Sequence, residues 1–196
     1  RCPQCADLLA NSRLSHDERE HAIDDIAKRP DDAHGEAAAL RFLGKEMLRD
    51  PFGFLGVWGQ KGSGKSLLLT ALVAEFCRRG RQAVYFNADE VVHMLHPGED
   101  KEIEGLRHVP GNPDAMFAYL QRIEVLAIDE IDKLPWTGWQ IQRLGALIEY
   151  RHRQSERLVT LFSMNKPPWG WKHAGEVEHI GDRLADGRFN RHWPQE

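Results

Sequence analysis

The chain has 196 residues, enough for one domain with an appendage, and its 41% hydrophobic and 29% charged residues exclude fibrous and disordered classes. With 26 basic and 30 acidic side chains the net charge is −4, so no whole-molecule positive field advertises nucleic acid or acidic lipid, and such a partner must be held locally. No apolar stretch approaches the roughly 20 residues of a membrane helix and no signal-peptide pattern is present, so the expectation is a soluble, cytoplasmic protein with no membrane partner.

Three cysteines make no disulfide framework, but Cys2 and Cys5 form a Cys-x-x-Cys pair, a candidate half of a zinc (Zn2+) site. Its other ligands would come from an upstream pair or from His16 and His21. Residues 6–32 are polar and acidic, with apolar spots at Leu8, Leu9, Leu14, Ile23 and Ile26. Residues 1–32 therefore read as a helical arm or the remnant of a zinc-binding module, and 33–196 as the main domain. Over 33–48, Ala37, Leu40, Leu43 and Met47 recur at helical spacing with Phe42 beside them, and Asp50-Pro51 stops the helix. A strand is predicted at 54–58, a helix at 65–79 ending at Gly80, a strand at 82–87 and short helices at 88–96 and 115–122. A strand at 124–128, a helix at 140–154 and a strand at 158–163 follow. Strands separated by helices predict an α/β fold, a parallel sheet with helices on both faces. The acidic, Gly- and Pro-rich stretch 97–113 reads as a functional or mobile loop.

Directly after the first strand come Gly59, Gln60, Lys61, Gly62, Ser63, Gly64, Lys65 and Ser66, which fit G-x-x-x-x-G-K-[ST] and open into a helix at Leu67. This is a P-loop. Its glycines let successive N–H groups face a phosphate and the helix N-terminus adds a positive dipole end. Lys65 reaches the β and γ oxygens of ATP, and Ser66 binds Mg2+. Sixty residues on, Val125 to Asp129 is an apolar run closed by Asp129 and Glu130. A buried strand delivers Asp129 to the sheet edge beside the P-loop, where it holds the Mg2+ shell, and Glu130 can activate a water in line with the γ-phosphate. A kinase passes the phosphoryl group to a bound acceptor. A Glu directly after the magnesium Asp points instead to water, hence to an ATPase yielding ADP and phosphate. The last predicted strand ends in Ser163-Met164-Asn165, and a polar side chain there can bond the attacking water or a γ oxygen, although a turn Asn before Lys-Pro-Pro reads the same way.

These elements, with the helix at 33–48 ahead of them and Val177 to Leu184 behind, look like the P-loop NTPase core of the AAA+ ATPases that load bacterial and phage replicative helicases. That family is close to the ATPase subunits of insertion-sequence transposases. The resemblance covers 33–193. It implies ATP hydrolysis that is slow until subunits assemble, a replicative helicase and single-stranded DNA as partners, and a homo-oligomer when active. The alternative is an ATPase regulator of a DNA transposase. The resemblance makes Asn165 the sensor residue, with Met164 one position off, and Arg183 the arginine finger that reaches a neighbouring subunit's γ-phosphate. By the residues alone Arg183, between Asp182 and Asp186, is a helix-surface ion pair, and Arg188 competes for the finger role. It also implies little or no C-terminal lid, and makes the segment 1–32 a zinc- or helicase-binding module. The family's single-strand-contacting segment falls on 88–122, which here is acidic and a poor phosphate surface. Cys77 reads as a small buried hydrophobe, and Trp136, Trp139, Trp169 and Trp171 as subunit packing or base-stacking platforms near Lys133, Lys166 and Lys172.

Overall fold

The computed structural model describes residues 3–26, 36–96, 106, 111–134, 137–168, 178–185 and 190–192. The described chain opens with α1 (Pro3–Ala10), two single helical turns at Glu18–Glu20 and Ile23–Asp25, and α2 (Glu36–Arg49). Then follow β1 (Gly53–Trp58), α3 (Lys65–Arg78), β2 (Ala83–Asn87), α4 (Ala88–Met94), α5 (Pro113–Arg122) and β3 (Val125–Asp129). A turn at Ile131–Lys133, α6 (Gly138–Arg153), β4 (Val159–Met164), α7 (Glu178–Ala185) and β5 (Asn190–His192) complete it. The strands run in the order β2-β3-β4-β1-β5, and every described pairing is parallel. β4 is thus inserted between the strand that leads into the P-loop and the strand that ends at Asp129.

β1, β3 and β4 are buried on both faces, as parallel strands must be when crossovers lay helices over them. Leu55, Val57, Ala83, Val125, Ala127, Val159 and Leu161 pack with α1, α2 and α3. Their alternates Phe54, Trp58, Val84, Phe86, Leu126, Ile128, Phe162 and Met164 pack with α4, α5, α6 and α7. Helix starts follow from local chemistry. Asn112 accepts the Ala115 N–H at 2.8 Å ahead of Pro113, and Gln140 returns to the Thr137 N–H at 3.0 Å. These two caps start α5 and α6 slightly earlier than apolar periodicity alone predicts.

The N-terminal residues share this core. Leu9, Leu14, Ile23 and Ile26 are at most 7% exposed and lie in one cluster with α2 and α3, each contributing roughly 1.5–3 kcal/mol by burial. Ser12 O accepts the Tyr85 N–H at 3.1 Å, which covers the edge of β2. Arg13, in the left-handed region at φ 64°, reaches Glu90 at 2.8 Å and lies 4.5 Å over the Phe86 ring. The sequence predicts no strand after residue 163, yet β5 pairs with β1 on the side away from β4. Asn190, Arg191 and His192 carry no apolar period, so only backbone pairing marks them as a strand. Arg151 is fully buried. It donates to Thr160 Oγ1 (2.8 Å) and to the carbonyls of Leu120 (2.8 Å), Ile123 (2.9 Å) and Val159 (2.7 Å), closing the C-terminal end of α5 against β4. No described helix is long and apolar enough to cross a membrane.

Candidate nucleotide-binding site

β1 delivers Gly59, Gln60, Lys61 and Gly62 to the C-terminal edge of the sheet, and α3 begins at Lys65. Gly62 (φ 83°) and Gly64 (φ 100°) turn through the left-handed region open to glycine. A Cβ at Gly64 would also stand 3.1 Å from Ile26 Cγ2, so the loop closes against the N-terminal segment. Ser63 is buried, Ser66 is exposed in the first turn of α3, and Leu67 is half-buried behind it. Lys65, 7% exposed, donates to the carbonyls of Gly59 (2.9 Å) and Gln60 (2.7 Å) and to Ser63 Oγ (3.5 Å). Burial lowers its pKa, opposed by the carboxylates of Asp129, Asp132, Glu36 and Glu130. A glycine-turned loop at a helix N-terminus, with an amine tethered to loop carbonyls, has the donor set that a nucleotide's phosphates require. The group therefore fits these residues.

Because β4 lies between β1 and β3, the tips of the three strands converge. Asp129 ends β3 at 3% exposure and is held by three donors. Tyr85 OH donates to Oδ2 at 2.6 Å, while the Ser163 hydroxyl and the Glu130 N–H (3.1 Å) donate to Oδ1. The Glu130 N–H also donates to Ser163 Oγ at 3.0 Å. Burial first, then the bond to Asp129, pushes the Tyr85 hydroxyl far above its ordinary pKa, so it remains a donor. Glu130 stands in the left-handed region (φ 57°, ψ 39°), an uncommon conformation for a residue with a Cβ, and turns the chain out of β3. Its carboxylate pairs with Lys133, and that bond raises the lysine's pKa. Asn165 is the first residue past β4. Its backbone N–H donates to Asp132 Oδ2 at 3.0 Å, and its carboxamide has no hydrogen-bond partner among the described residues.

Sequence reasoning assigns no role to Tyr85, and names Ser163 only as part of a strand end. Both sit at the same parity as Asp129, on the α3 face, where β2–β3 and β3–β4 register brings them to its carboxylate. A hydroxyl near the C-terminal end of an otherwise apolar strand is the signal that would have found them.

Other candidates among the described residues have partners on other elements. Arg183, on α7, donates through Nε to Glu149 Oε2 of α6 at 2.7 Å, a partner its sequence neighbours Asp182 and Asp186 do not suggest. Cys5 Sγ contacts the Arg78 carbonyl at 3.4 Å, His21 Nδ1 bonds Thr70 Oγ1 at 2.8 Å, and His16 is exposed. No cluster of three or more His, Cys, Asp or Glu able to hold a metal occurs among the described residues. Cys2, Trp136, Trp169, Trp171, Lys172, Arg188 and all of the 97–113 loop except Leu106 and 111–113 lie outside the described residues. Trp139 packs at the core fringe, edge-on to His96 at 5.0 Å, and Cys77 is fully buried.

The family described as ATPase family associated with various cellular activities (AAA) matches residues 55–166, over half of the chain. Among solved structures the chain is similar to DnaI, with TM-score 0.67 and 13% identity over 92% of this chain and 94% of that one. It is also similar to the DnaC helicase loader, with TM-score 0.54 and 16% identity over 91% of this chain and 98% of that one. A third similar structure is the replication initiator DnaA bound to AMPPCP and single-stranded DNA, with TM-score 0.62 and 15% identity over 90% of this chain. The chain spans half the length of three of the initiator chains it is similar to. At these identities the likeness is one of fold. A search of curated protein sequences finds no match.

Proposed function

Because the chain belongs to the AAA family of ATPases, we propose that it binds ATP with Mg2+ at the loop 59–66 and transfers the γ-phosphoryl group to water. One observation carries this reading: Asp129 and Glu130 leave β3 beside the tip of β4, in a sheet where β4 is also the neighbour of the P-loop strand. Lys65 and the loop N–H groups hold the phosphates, and Ser66 and Asp129 hold Mg2+, which supplies charge neutralisation when bound. Glu130 is the general base, and Asn165 is the sensor that bonds the water or a γ oxygen. Arg183 is the arginine finger, acting on a neighbouring copy's site once it exchanges Glu149 for phosphate. Hydrolysis is then slow in the monomer and rises on assembly.

The finer reading is that this ATPase loads or remodels a replicative DNA helicase on single-stranded DNA. It is supported by the breadth of the fold likeness to the DnaC loader, which spans nearly all of both chains. The test is ATP turnover and co-sedimentation with a hexameric replicative helicase, with and without single-stranded DNA. Complex formation and turnover that rises with the helicase are expected. No complex, and turnover that rises only with a transposase on duplex DNA, would replace this reading with the transposase alternative. Mixing Arg183→Ala with Glu130→Gln subunits tests the finger, since some mixed interfaces carry both intact groups and should recover activity. No recovery in mixtures shown to co-assemble would remove Arg183 from the mechanism.

A further inference from the structure

We infer that Asp132 is a positioning residue for the hydrolytic site: its carboxylate accepts the backbone N–H of Asn165 and so fixes the tip of β4 to the turn that carries Glu130. This deepens the reading of Asn165 as the sensor and rests on it.

β4 ends at Met164, where its pairing with β1 also ends at Trp58. The residues after Asn165 are Lys166, Pro167 and Pro168. The two prolines have no N–H to donate, so the ladder does not extend through them, and the Asn165 N–H takes its acceptor from outside the strands. Asp132 Oδ2 supplies it at 3.0 Å, across 33 residues of sequence. That carboxylate is placed by the turn Ile131–Lys133, which Glu130 enters in its left-handed conformation and which the buried Ile131 pins to the core. The Lys133 N–H bonds Glu130 O at 3.0 Å and closes the turn. Glu130 and the acceptor for Asn165 therefore sit on one rigid turn, two residues apart. A displacement of the turn moves both.

The second carboxylate oxygen makes the case against a merely structural role. Asp132 Oδ1 is buried and has no hydrogen-bond partner among the described residues. An unmatched buried polar atom is unfavourable, so stability alone does not account for a polar side chain here, and such groups concentrate at functional sites. Its charge also acts on Lys65, second only to Asp129 among the carboxylates that support the ammonium. Asp132 thus stands within electrostatic reach of the P-loop lysine while bonded to the sensor strand.

The experiment compares Asp132→Ala, Asp132→Asn, Asn165→Ala and the double Asp132→Ala/Asn165→Ala variant in the whole chain, by steady-state ATP turnover and by calorimetric ATP affinity with Mg2+. Asp132→Ala is expected to lower kcat about tenfold, with ATP affinity within about threefold of wild type. Asp132→Asn keeps an oxygen that can accept the N–H, so its kcat should stay within about threefold. The double variant should be no slower than Asn165→Ala, since both lose one arrangement. Wild-type kcat in Asp132→Ala beside a slow Asn165→Ala would overturn the inference while leaving the sensor reading intact. So would additive losses, or Asp132→Asn falling as far as Asp132→Ala. Wild-type turnover in Asn165→Ala would remove the sensor reading and this inference with it. Should Asp132→Ala not fold, amide exchange at Asn165 decides: protection in wild type and in Asp132→Asn supports the tether, and exchange at an open-loop rate in the wild type refutes it.

Discussion

Tyr85→Phe removes a single hydroxyl and leaves the ring to fill its place, so its effect reports one hydrogen bond rather than a cavity. That bond ends on Asp129 Oδ2 at 2.6 Å, on a carboxylate that is 3% exposed. Hydrogen bonds to charged groups contribute about 1.5–3 kcal/mol. Tyr85 is itself half-buried, and Asp129 keeps the Ser163 hydroxyl and the Glu130 N–H. Both facts pull the loss toward the middle of the range, about 2 kcal/mol. In a chain of this size each kcal/mol moves Tm by roughly 2–4 °C, so Tm should drop by about 4–8 °C. The assay is thermal unfolding by circular dichroism in EDTA, repeated for Ser163→Ala and the double variant. The two hydroxyls compensate one charge, so their losses should couple by about 0.5 kcal/mol or more. A Tyr85→Phe midpoint within about 1 °C of wild type, or strictly additive losses, would refute the clamp on Asp129.

Lys65→Ala should weaken ATP binding at least tenfold, about 1.4 kcal/mol, by calorimetry with Mg2+, and unchanged affinity would move the nucleotide elsewhere. Glu130→Gln should bind ATP normally yet turn over roughly 10²-fold slower, and a wild-type rate would deny Glu130 the base role. Arg151→Met takes donors from Thr160 Oγ1 and three carbonyls. At about 1 kcal/mol each, partly offset by releasing a buried charge, the denaturant midpoint should report a loss near 3 kcal/mol, and a loss below about 1 would contradict the account. Burial pushes the Cys77 thiol from 9.0 up to about 11. Below pH 9 both states keep the proton. Between pH 9 and 11 only the unfolded chain releases it, so stability falls as pH rises. Cys77→Ala should flatten that limb in urea titrations from pH 7.5 to 10.5, and parallel curves would exclude it.

The loop 59–66 and the pair Asp129-Glu130 are legible in the sequence because their chemistry demands residue types at fixed spacing along the chain. Tyr85 and Ser163 are not, since they meet Asp129 across 44 and 34 residues, in a strand order that no local pattern states. The N-terminal segment is illegible for another reason. Leu9, Leu14, Ile23 and Ile26 follow neither a helical nor a strand period, so nothing local marks a buried face. The signal lies elsewhere, on α3, where Leu68, Leu69, Leu72, Val73, Phe76 and Cys77 are all fully buried around the helix. A helix apolar all round needs cover on the side away from its sheet. The arm supplies it, and its last described residue, Ile26, reaches the P-loop at Gly64.

Exposure separates the groups that are fixed from those that can change partner. Asp129 is buried under three donors, and shifting it would leave a desolvated charge behind. The Glu130–Lys133 pair is 38% and 52% exposed at its side chains, and Arg183–Glu149 is 41% and 39% exposed. Pairs this open are stabilised by only about 0–1 kcal/mol. The Arg183 bond holds the Glu149 carboxyl below its ordinary pKa, so the pair stays ionised at neutral pH. A phosphate oxygen is a stronger partner for a guanidinium than an exposed carboxylate, so the exchange that the proposed finger role requires of Arg183 costs little. Lys65 stands between these cases. It is buried, but its bonds end on neutral carbonyls and a hydroxyl, acceptors that carry less charge than a phosphate oxygen. The rigid element of the candidate site is therefore the Asp129 carboxylate, and the adjustable ones are the side chains of Glu130, Lys65 and Arg183.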